Sequence, residues 1–344
     1  MINLNLLILF FIIATLCNFI VMRFGLRLSI NKKRQIQNIH HGDISRLGGF
    51  SIFLVFSLYV IFFNKSLILF WFFSLIVIIP ALVEDINITI APKKRFLLII
   101  FACAFIILSL DQLPNVDLKF VSFFNNYYFQ IIFYSLALAT LINGQNIIDG
   151  TNGLSALTSL SIFGSLLYIG MHLNNIELIN NCLIIITLLI SFLLFNYPFG
   201  KIFLGDTGSY FIGLLAGYLI IKIFGQYPQL SSYSAVVIVF YPCLEIIFSY
   251  LRRIIKNKSP FIADNLHLHY KMYFLLKGNN KPSFLHNALV APLLGIIWLS
   301  PIALIPFIVN IPYLSIVAVV ILVILYLFMY FIIPNPKKDI SKKI

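Results

Sequence analysis

Long apolar runs recur along almost the whole of this 344-residue chain, and they decide what it can fold into. A helix needs about 20 apolar residues to cross the hydrocarbon core of a bilayer, so runs of this length predict membrane spans. Charged residues make up 10% of the chain, against about 25% in soluble proteins, which excludes a soluble or secreted protein. We predict an all-α polytopic membrane protein, a single domain over residues 1–344, with about 11 transmembrane helices. The apolar runs lie near residues 3–22, 48–63, 66–83, 96–110, 127–142, 154–171, 178–195, 208–224, 233–251, 287–306 and 313–333.

Lysine and arginine are distributed unevenly between the loops, and basic loops favour the cytoplasmic side of a membrane. With the N-terminus on the periplasmic side, 21 of the 24 Lys and Arg residues fall in cytoplasmic segments. This asymmetry predicts the orientation, and it assigns the net charge of +13 to anionic lipid headgroups instead of to nucleic acid. The predicted cytoplasmic segments are the loops 23–47, 84–95, 143–153, 196–207 and 252–286, and the tail 334–344.

Most of the acidic residues fall on this predicted cytoplasmic face, close to the ends of apolar runs. Glu84 and Asp85 end the third run, Asp149 lies in NGQNIIDGTNG, and Asp206 lies in FLGDTGS. A carboxylate at such a boundary is costly unless it is paired, binds a cation or faces water. Each acid alone can be explained as a helix cap or a solvated loop edge. Together, with glycines beside Asp149 and Asp206, they are typical of a Mg²⁺ site that shares its ligands with substrate phosphates.

Two histidines, His267 and His269, stand two residues apart in the loop 252–286. A zinc site would need further ligands, but the chain has no HExxH motif, and the nearest cysteine, Cys243, lies in an apolar run. We therefore expect the histidines to contact a phosphate or a sugar, with a structural role as the alternative.

Five segments between about residue 23 and residue 286 match known sequence motifs in a fixed order. SRLGGFSIF resembles P-R-x-G-G, and VEDI resembles a paired-aspartate motif. NIIDGTNGL resembles N-x-x-D-G-x-D-G-L, FNYPFGKIFLGDTGS resembles F-N-x-x-P-x-x-x-F-x-G-D-x-G-S, and SPFIADNLHLH resembles a histidine-rich loop. These are motifs of the polyprenyl-phosphate N-acetylhexosamine-1-phosphate transferases, glycosyltransferase family 4. The chain most resembles the undecaprenyl-phosphate GlcNAc-1-phosphate transferase branch, which is related to phospho-N-acetylmuramoyl-pentapeptide transferase.

The resemblance implies a Mg²⁺-dependent phosphotransferase of the bacterial inner membrane, with Mn²⁺ as an alternative metal. In the family, a lipid phosphate attacks the β-phosphate of a UDP-sugar, which releases UMP and leaves a lipid-diphosphate sugar. For this chain it implies UDP-N-acetylhexosamine, with GlcNAc-1-phosphate as the transferred group, and undecaprenyl phosphate as the acceptor. The product would start a cell-envelope polysaccharide such as O-antigen. Phosphoryl transfer depends on positioning and charge neutralisation, so a metal ion and cationic side chains suit this reaction.

The resemblance also implies the roles of individual residues, carried over motif by motif. The implied metal ligands are Asp206, Asp149 and Asp85. Glu84 and Asp85 would orient or deprotonate the lipid phosphate, and Phe203 would stack on uracil. The implied catalytic residues are Glu84, Asp85, Asp149, Asp206, His267 and His269. The implied substrate-binding residues are Arg46, Gly48, Gly49, Lys93, Lys94, Asn146, Asn152, Asn196, Phe203, Arg252 and Arg253, with Arg95 as a further candidate for a phosphate contact.

The chain departs from the family pattern at three positions. Glu84 replaces the first aspartate of the usual pair, Asn152 replaces the second aspartate of D-G-x-D-G, and Tyr270 stands where a third histidine often follows. The first two departures keep a plausible metal site, but they leave the preferred sugar open.

Two alternatives remain at this stage. The same chemistry on UDP-MurNAc-pentapeptide would make the lipid precursor of peptidoglycan, although that branch usually carries P-x-H-H-H where this chain has HLH. A transporter would also place acids near the membrane, but transporter sites lie near the bilayer midplane, whereas these acids cluster at one interface. Relatives suggest a homodimer as the assembly.

Overall fold

The computed structural model describes residues 2–25, 44–86, 88–115, 126–259, 266–278 and 283–336. Within these ranges the chain forms α-helices, one 3-10 turn at Lys65–Leu67, and a single isolated parallel β-bridge between Ser45 and Ile202. Most of the predicted loop 23–47, residues 260–265 of the histidine-rich loop, and the tail from residue 337 lie outside the described residues.

Sixteen α-helices follow one another along the described residues. The first eight are α1 (Leu4–Phe24), α2 (Gly48–Phe62), α3 (Ile68–Asp85), α4 (Pro92–Leu108), α5 (Tyr127–Ile147), α6 (Leu154–His172), α7 (Ile176–Asn196) and α8 (Gly205–Gln226). The others are α9 (Ser232–Ile238), α10 (Phe240–Ile255), α11 (Leu268–Lys277), α12 (Phe284–Ala288), α13 (Val290–Leu293), α14 (Gly295–Trp298), α15 (Ser300–Ile308) and α16 (Pro312–Ile332).

Helices occupy every apolar run that the sequence analysis assigned to a span, and no strand forms in the described residues. Six of them are long and apolar enough to cross a membrane, namely α1, α3 with its preceding 3-10 turn, α6, α7, α8 and α16. The number rises to eight if the bent pairs α9–α10 and α12–α15 each count as one span. The polytopic helical fold is therefore confirmed, while the count of 11 and the orientation stay predictions.

Helix α8 lies at the centre of the bundle. It packs against α2, α3, α5 and α6, and almost all of its side chains are buried. Glycines along α8 let its neighbours approach: a Cβ on Gly213 would lie 3.0 Å from the Cα of Ile142 in α5. Since α8 begins at Gly205, its buried position fixes Asp206 among the ends of the surrounding helices.

The ninth apolar run is a broken helix. The axes of α9 and α10 differ by 82°, and the break falls at Val239. Pro242 follows within the first turn of α10, and because it has no N–H it cannot continue the hydrogen-bond ladder of α9 across the break. Helix α10 packs against α5 and α16, and it delivers Glu245 and the Arg252–Arg253 pair toward α11.

Candidate active site

Carboxylates from two other elements surround the first backbone N–H groups of α8. The backbone N–H groups of Asp206 and Thr207 donate to Oδ1 and Oδ2 of Asp85, at 2.9 and 2.8 Å. Asp149 lies within hydrogen-bonding reach of the N–H of Gly205, which has a φ of +73°. A helix leaves its first N–H groups without backbone partners, and side-chain acceptors stabilise them. At α8 these N–H groups therefore donate to the chain's own carboxylates.

The Asp206 side chain accepts hydrogen bonds from three other elements. Its Oδ1 accepts from Arg46 Nη2 and from Asn146 Nδ2, each at 3.0 Å, and its Oδ2 accepts from Arg95 Nη1 at 3.2 Å. Arg95 also pairs with Glu84. The Asp206 side chain remains 15% exposed, so it is open to a ligand while the arginines hold its orientation. The structure thus brings Glu84, Asp206, Arg46 and Asn146 into one cluster.

This cluster holds more negative than positive groups. The carboxylates of Glu84, Asp85, Asp149 and Asp206 face two guanidiniums, those of Arg46 and Arg95. Burial lowers the pKa of Arg46, but the Asp206 and Asp85 carboxylates outweigh it and raise that pKa above its ordinary value. For Asp149, burial and the neighbouring Asp206 raise the pKa of the carboxyl, against the opposing effect of Arg46. With all groups ionised the surplus is two negative charges, which matches a divalent cation.

The carboxylates are oxygen donors of the kind that Mg²⁺ prefers, and Mg²⁺ usually takes only one or two of them together with water and substrate phosphates. Both oxygens of the fully buried Asp85 already accept backbone N–H groups, so Asp206 and the half-buried Asp149 are better placed for a metal. No group of three His, Cys, Asp or Glu side chains in the described ranges is arranged to hold a metal ion. Asp85 as a third ligand stays a prediction.

The Arg-Leu-Gly-Gly segment packs directly against the segment that precedes Asp206. The N–H groups of Gly48 and Gly49 donate to the carbonyl oxygens of Phe203 and Leu204 at 3.0 and 2.8 Å. A Cβ on Gly49 would lie only 2.1 Å from the Cα of Gly208 in α8. These glycines therefore serve a close backbone contact, and their predicted substrate contacts stay predictions. Phe203 is half-buried at the edge of this contact.

Asn152 and Asn196 join neighbouring segments through hydrogen bonds to the backbone and to Asn287. The N–H of Asn152 donates to Asn287 Oδ1 at 2.6 Å, and its Nδ2 donates to the carbonyl oxygen of Pro198 at 2.8 Å. Asn196 accepts from the N–H of Gly153 at 2.7 Å and donates to the carbonyl oxygen of Ile202 at 2.8 Å. Both asparagines are buried, so the structure gives them a structural task. A substrate contact by either one stays a prediction.

The two histidines form a parallel pair beside the Asp149 segment. Their ring centroids are 5.7 Å apart, with an angle of 9° between the ring planes. His269 is fully buried, and a Cβ on Gly150 would lie 2.6 Å from its Nε2. Burial lowers the pKa of His269 to about 3, so the ring is neutral at ordinary pH. The structure therefore places His269 against Gly150, the residue after Asp149, and a catalytic role for the two histidines stays a prediction.

The basic residues divide into two sets. Lys93 and Lys94 are exposed in the first turn of α4, next to Arg95. Arg252 donates to the carbonyl oxygen of Leu266 at 2.8 Å, and Arg253 donates to that of Ser259 at 2.6 Å. The contacts of the second set hold the two ends of the segment before His267, and a role in phosphate binding stays a prediction.

Several side chains of the site were not singled out from the sequence. Ser209 accepts from Asn146 Nδ2 at 3.0 Å, and the ring of Tyr210 lies 5.7 Å from the Arg95 guanidinium carbon. Asn287 and Tyr326 belong to segments that lie far from the motifs in the sequence. Only Ser209 carried a signal, because it ends the G-D-x-G-S motif.

Fold and site together define a polytopic helical membrane protein with a charged cluster suited to phosphate chemistry. Residues 67–224 match the sequence profile of the family described as glycosyl transferase family 4. Over these residues the chain is similar to that family.

Three relatives show how far the similarity extends. A Bacillus subtilis protein named "Probable undecaprenyl-phosphate N-acetylglucosaminyl 1-phosphate transferase" is 25% identical over 264 residues, 74% of this chain and 72% of that protein. A Thermotoga maritima undecaprenyl-phosphate alpha-N-acetylglucosaminyl 1-phosphate transferase is 32% identical over 139 residues, 40% of this chain and 42% of that protein. A Leuconostoc mesenteroides phospho-N-acetylmuramoyl-pentapeptide-transferase is 41% identical over 113 residues, 31% of this chain and 34% of that protein. The last two matches therefore span less than half of each relative.

Proposed function

We propose that the chain transfers GlcNAc-1-phosphate from UDP-GlcNAc to undecaprenyl phosphate and releases UMP. The observation that carries the proposal is the cluster around Asp206, where four carboxylates and two arginines meet at the start of the central helix α8. The names of the Bacillus and Thermotoga relatives support the donor and the acceptor. The product would start a cell-envelope polysaccharide.

In this reaction an oxygen of the lipid phosphate attacks the β-phosphorus of the UDP-sugar. The bond between that phosphorus and the bridging oxygen breaks, UMP leaves with the bridging oxygen, and the lipid keeps the sugar phosphate. Arg46 and Arg95 hold the Asp206 carboxylate from two sides, and the exposed Lys93 and Lys94 stand beside Arg95 to meet an incoming phosphate. Fixed cations of this kind neutralise charge that spreads over the phosphoryl oxygens.

Asp206 and Asp149 would hold a Mg²⁺ ion in this proposal, with Mn²⁺ as the alternative. A bound divalent ion neutralises the diphosphate and polarises the reacting phosphoryl group. Glu84 is half-buried, and its carboxylate already pairs with Arg95. This placement suits a group that orients the lipid phosphate on the cationic side of the cluster. Asp85 instead holds the first turn of α8 through two N–H bonds, which keeps Asp206 in place.

The second candidate uses the same chemistry on UDP-MurNAc-pentapeptide, and the identity to the Leuconostoc protein favours it. We prefer the GlcNAc donor, because two relatives named for it align with this chain over longer stretches, 264 and 139 residues against 113. We further propose that the protein lies in the bacterial inner membrane with this site on the cytoplasmic face, and that it forms a homodimer.

The test is UMP release by the purified full-length protein in lipid nanodiscs. Undecaprenyl phosphate is supplied with UDP-GlcNAc, UDP-GalNAc or UDP-MurNAc-pentapeptide, with and without MgCl₂. The mass of the lipid product is measured by mass spectrometry. We expect Mg²⁺-dependent release with UDP-GlcNAc and a product heavier by one GlcNAc phosphate. Release with UDP-MurNAc-pentapeptide alone would assign the second candidate. Folded protein that releases no UMP from any donor would overturn the transferase proposal.

A further inference from the structure

Glu245 is a fully buried carboxylate inside α10, away from the cluster around Asp206. Its Oε1 accepts hydrogen bonds from His267 Nδ1 at 3.0 Å and from the backbone N–H of Leu268 at 3.2 Å. Its Oε2 accepts from the hydroxyl of Tyr326 at 3.1 Å. The three donors come from the residue before α11, from the first residue of α11 and from α16. One carboxylate thus ties two separate segments, the start of α11 and α16, to α10.

A buried carboxylate is strongly disfavoured unless several donors surround it, so this arrangement needs a reason beyond packing. An ionised carboxylate can only accept hydrogen bonds, and therefore Nδ1 of His267 must carry its proton in this contact. When the proton of a neutral imidazole is held on one ring nitrogen, the other ring nitrogen is left as a hydrogen-bond acceptor. Nε2 of His267 makes no hydrogen bond with any of the described residues, and it is the nitrogen left for a ligand.

The orientation of His267 also affects the position of His269. The two imidazole rings stack in parallel, 5.7 Å apart, and His269 packs against Gly150, next to Asp149. Neither ring nitrogen of the fully buried His269 has a hydrogen-bond partner in the described part of the chain. A ring with no bonds of its own depends on its neighbours for its position. The Glu245 contact is the only polar anchor that the structure gives this pair among the described residues.

We propose that Glu245 is a positioning residue of the transferase: it fixes the Nδ1–H form of His267 and holds the histidine pair against the Asp149 segment, so that His267 Nε2 meets the sugar diphosphate. The inference rests on the proposed function. Tyr326 supports it from the last helix, because its hydroxyl holds the second oxygen of the same carboxylate. Neither residue touches the reacting groups, so both act through His267.

The experiment compares Glu245→Leu, Glu245→Gln and Tyr326→Phe with His267→Ala. Orienting carboxylates behind functional histidines in metal sites are worth about tenfold to a hundredfold in activity. We expect Glu245→Leu to lower kcat/KM for the UDP-sugar by about that factor. Glu245→Gln keeps an acceptor oxygen and should recover part of the loss. Tyr326→Phe removes one hydrogen bond and should cost about twofold to tenfold. Glu177→Gln is the matched control, since Glu177 pairs with Lys222 far from these motifs, and it should keep wild-type kinetics.

The decisive variant is the double substitution Glu245→Leu with His267→Ala. If Glu245 acts only through His267, the double variant is no slower than His267→Ala alone. Losses that multiply would overturn the proposal and leave a structural carboxylate. If Glu245→Leu does not fold, Glu245→Gln and Tyr326→Phe are each combined with His267→Ala in the same double-mutant comparison. Wild-type kinetics in both Glu245→Gln and Tyr326→Phe would also overturn the proposal.

A readout without turnover separates this inference from the proposed function. ¹⁵N NMR of histidine-labelled protein reports which ring nitrogen of His267 carries the proton, and His267→Ala identifies its signals. We expect the Nδ1–H form in the wild type and its loss in Glu245→Leu. Wild-type protein that shows this form but releases no UMP from any donor would refute the transferase and leave the Glu245 contact intact. An Nε2–H form in active wild-type protein would refute the Glu245 inference alone.

Discussion

Gly49→Ala tests whether the contact between α2 and α8 holds the charged cluster together. The added Cβ would lie 2.1 Å from the Cα of Gly208, 2.2 Å from its N and 2.5 Å from the carbonyl oxygen of Leu204. All three are backbone atoms, so no side chain can turn aside. To reach ordinary contact at 3.4 Å, the start of α2 would have to retreat by about 1.3 Å from Gly208.

That retreat reaches the site through the chain itself. Arg46 stands three residues before Gly49, and its Nη2 is 3.0 Å from Asp206 Oδ1. A shift of this size takes the pair beyond hydrogen-bonding distance. A misplacement of about 1 Å in a catalytic arrangement can cost about 100-fold in rate. Overpacking of this kind also destabilises by about 1–3 kcal/mol. We therefore expect UMP release to fall by about 100-fold and the thermal midpoint in detergent to drop.

Gly295→Ala is the matched control for this substitution. The nearest atom to its added Cβ is Leu299 Cδ1, at 3.8 Å, which is ordinary contact. It should keep wild-type turnover, and its stability should change by no more than about 1 kcal/mol. Wild-type turnover and an unchanged thermal midpoint in Gly49→Ala would refute the reasoning, because α2 and α8 would then accommodate an extra methyl group without moving apart.

Three further predictions follow from the site and its surroundings. Asp206→Asn should reduce UMP release by at least about 100-fold while the protein still inserts in the membrane, and normal turnover would contradict its assignment as a metal ligand. Lys222→Ala breaks a partly exposed pair with Glu177, so stability should fall by no more than about 1 kcal/mol and turnover should not change. Burial lowers the pKa of His269 to about 3, below the 6.5 of the unfolded chain, so its contribution to stability is complete above pH 6.5 and is lost as the pH falls toward 3. Thermal midpoints between pH 5 and 7.5 should decline on acidification less steeply in His269→Gln than in the wild type, and equal slopes would contradict the neutral buried ring.

The helices could be predicted from the sequence because lipid-facing and buried positions impose the same apolar composition. Every predicted span holds a helix, but two of them are bent pairs. The 82° break at Val239 had a local signal, since Pro242 cannot continue a helix normally. The angle itself depends on packing against α5 and α16, and no local pattern encodes such contacts.

The residue types of the site could be predicted from the sequence, but the separate role of each carboxylate could not. The motifs predicted that Glu84, Asp85, Asp149 and Asp206 lie on one face, and the structure places them together. Adjacent residues nevertheless take different tasks, because Asp85 turns into the protein to bind two N–H groups while Glu84 pairs with Arg95. The side chain of Asp85 turns toward partners that lie more than 100 residues away in the sequence.

Distance along the chain also explains what was missed. Tyr326 sits in an apolar run where tyrosine is unremarkable, and only the fold brings its hydroxyl to Glu245. Asn287 likewise meets Asn152 across 135 residues. Such contacts leave no trace in a single sequence, since neither partner changes the local pattern around it.

The hydrogen bond from Tyr326 to Glu245 has a consequence for biosynthesis. Membrane proteins are inserted as they are translated, and Tyr326 is made 81 residues after Glu245. The earlier helices can therefore enter the bilayer long before the Glu245 carboxylate gains its last donor. A nascent chain that has not yet reached Tyr326 would carry all five motifs and still lack this donor, so the histidine pair would mature only after α16 has been made.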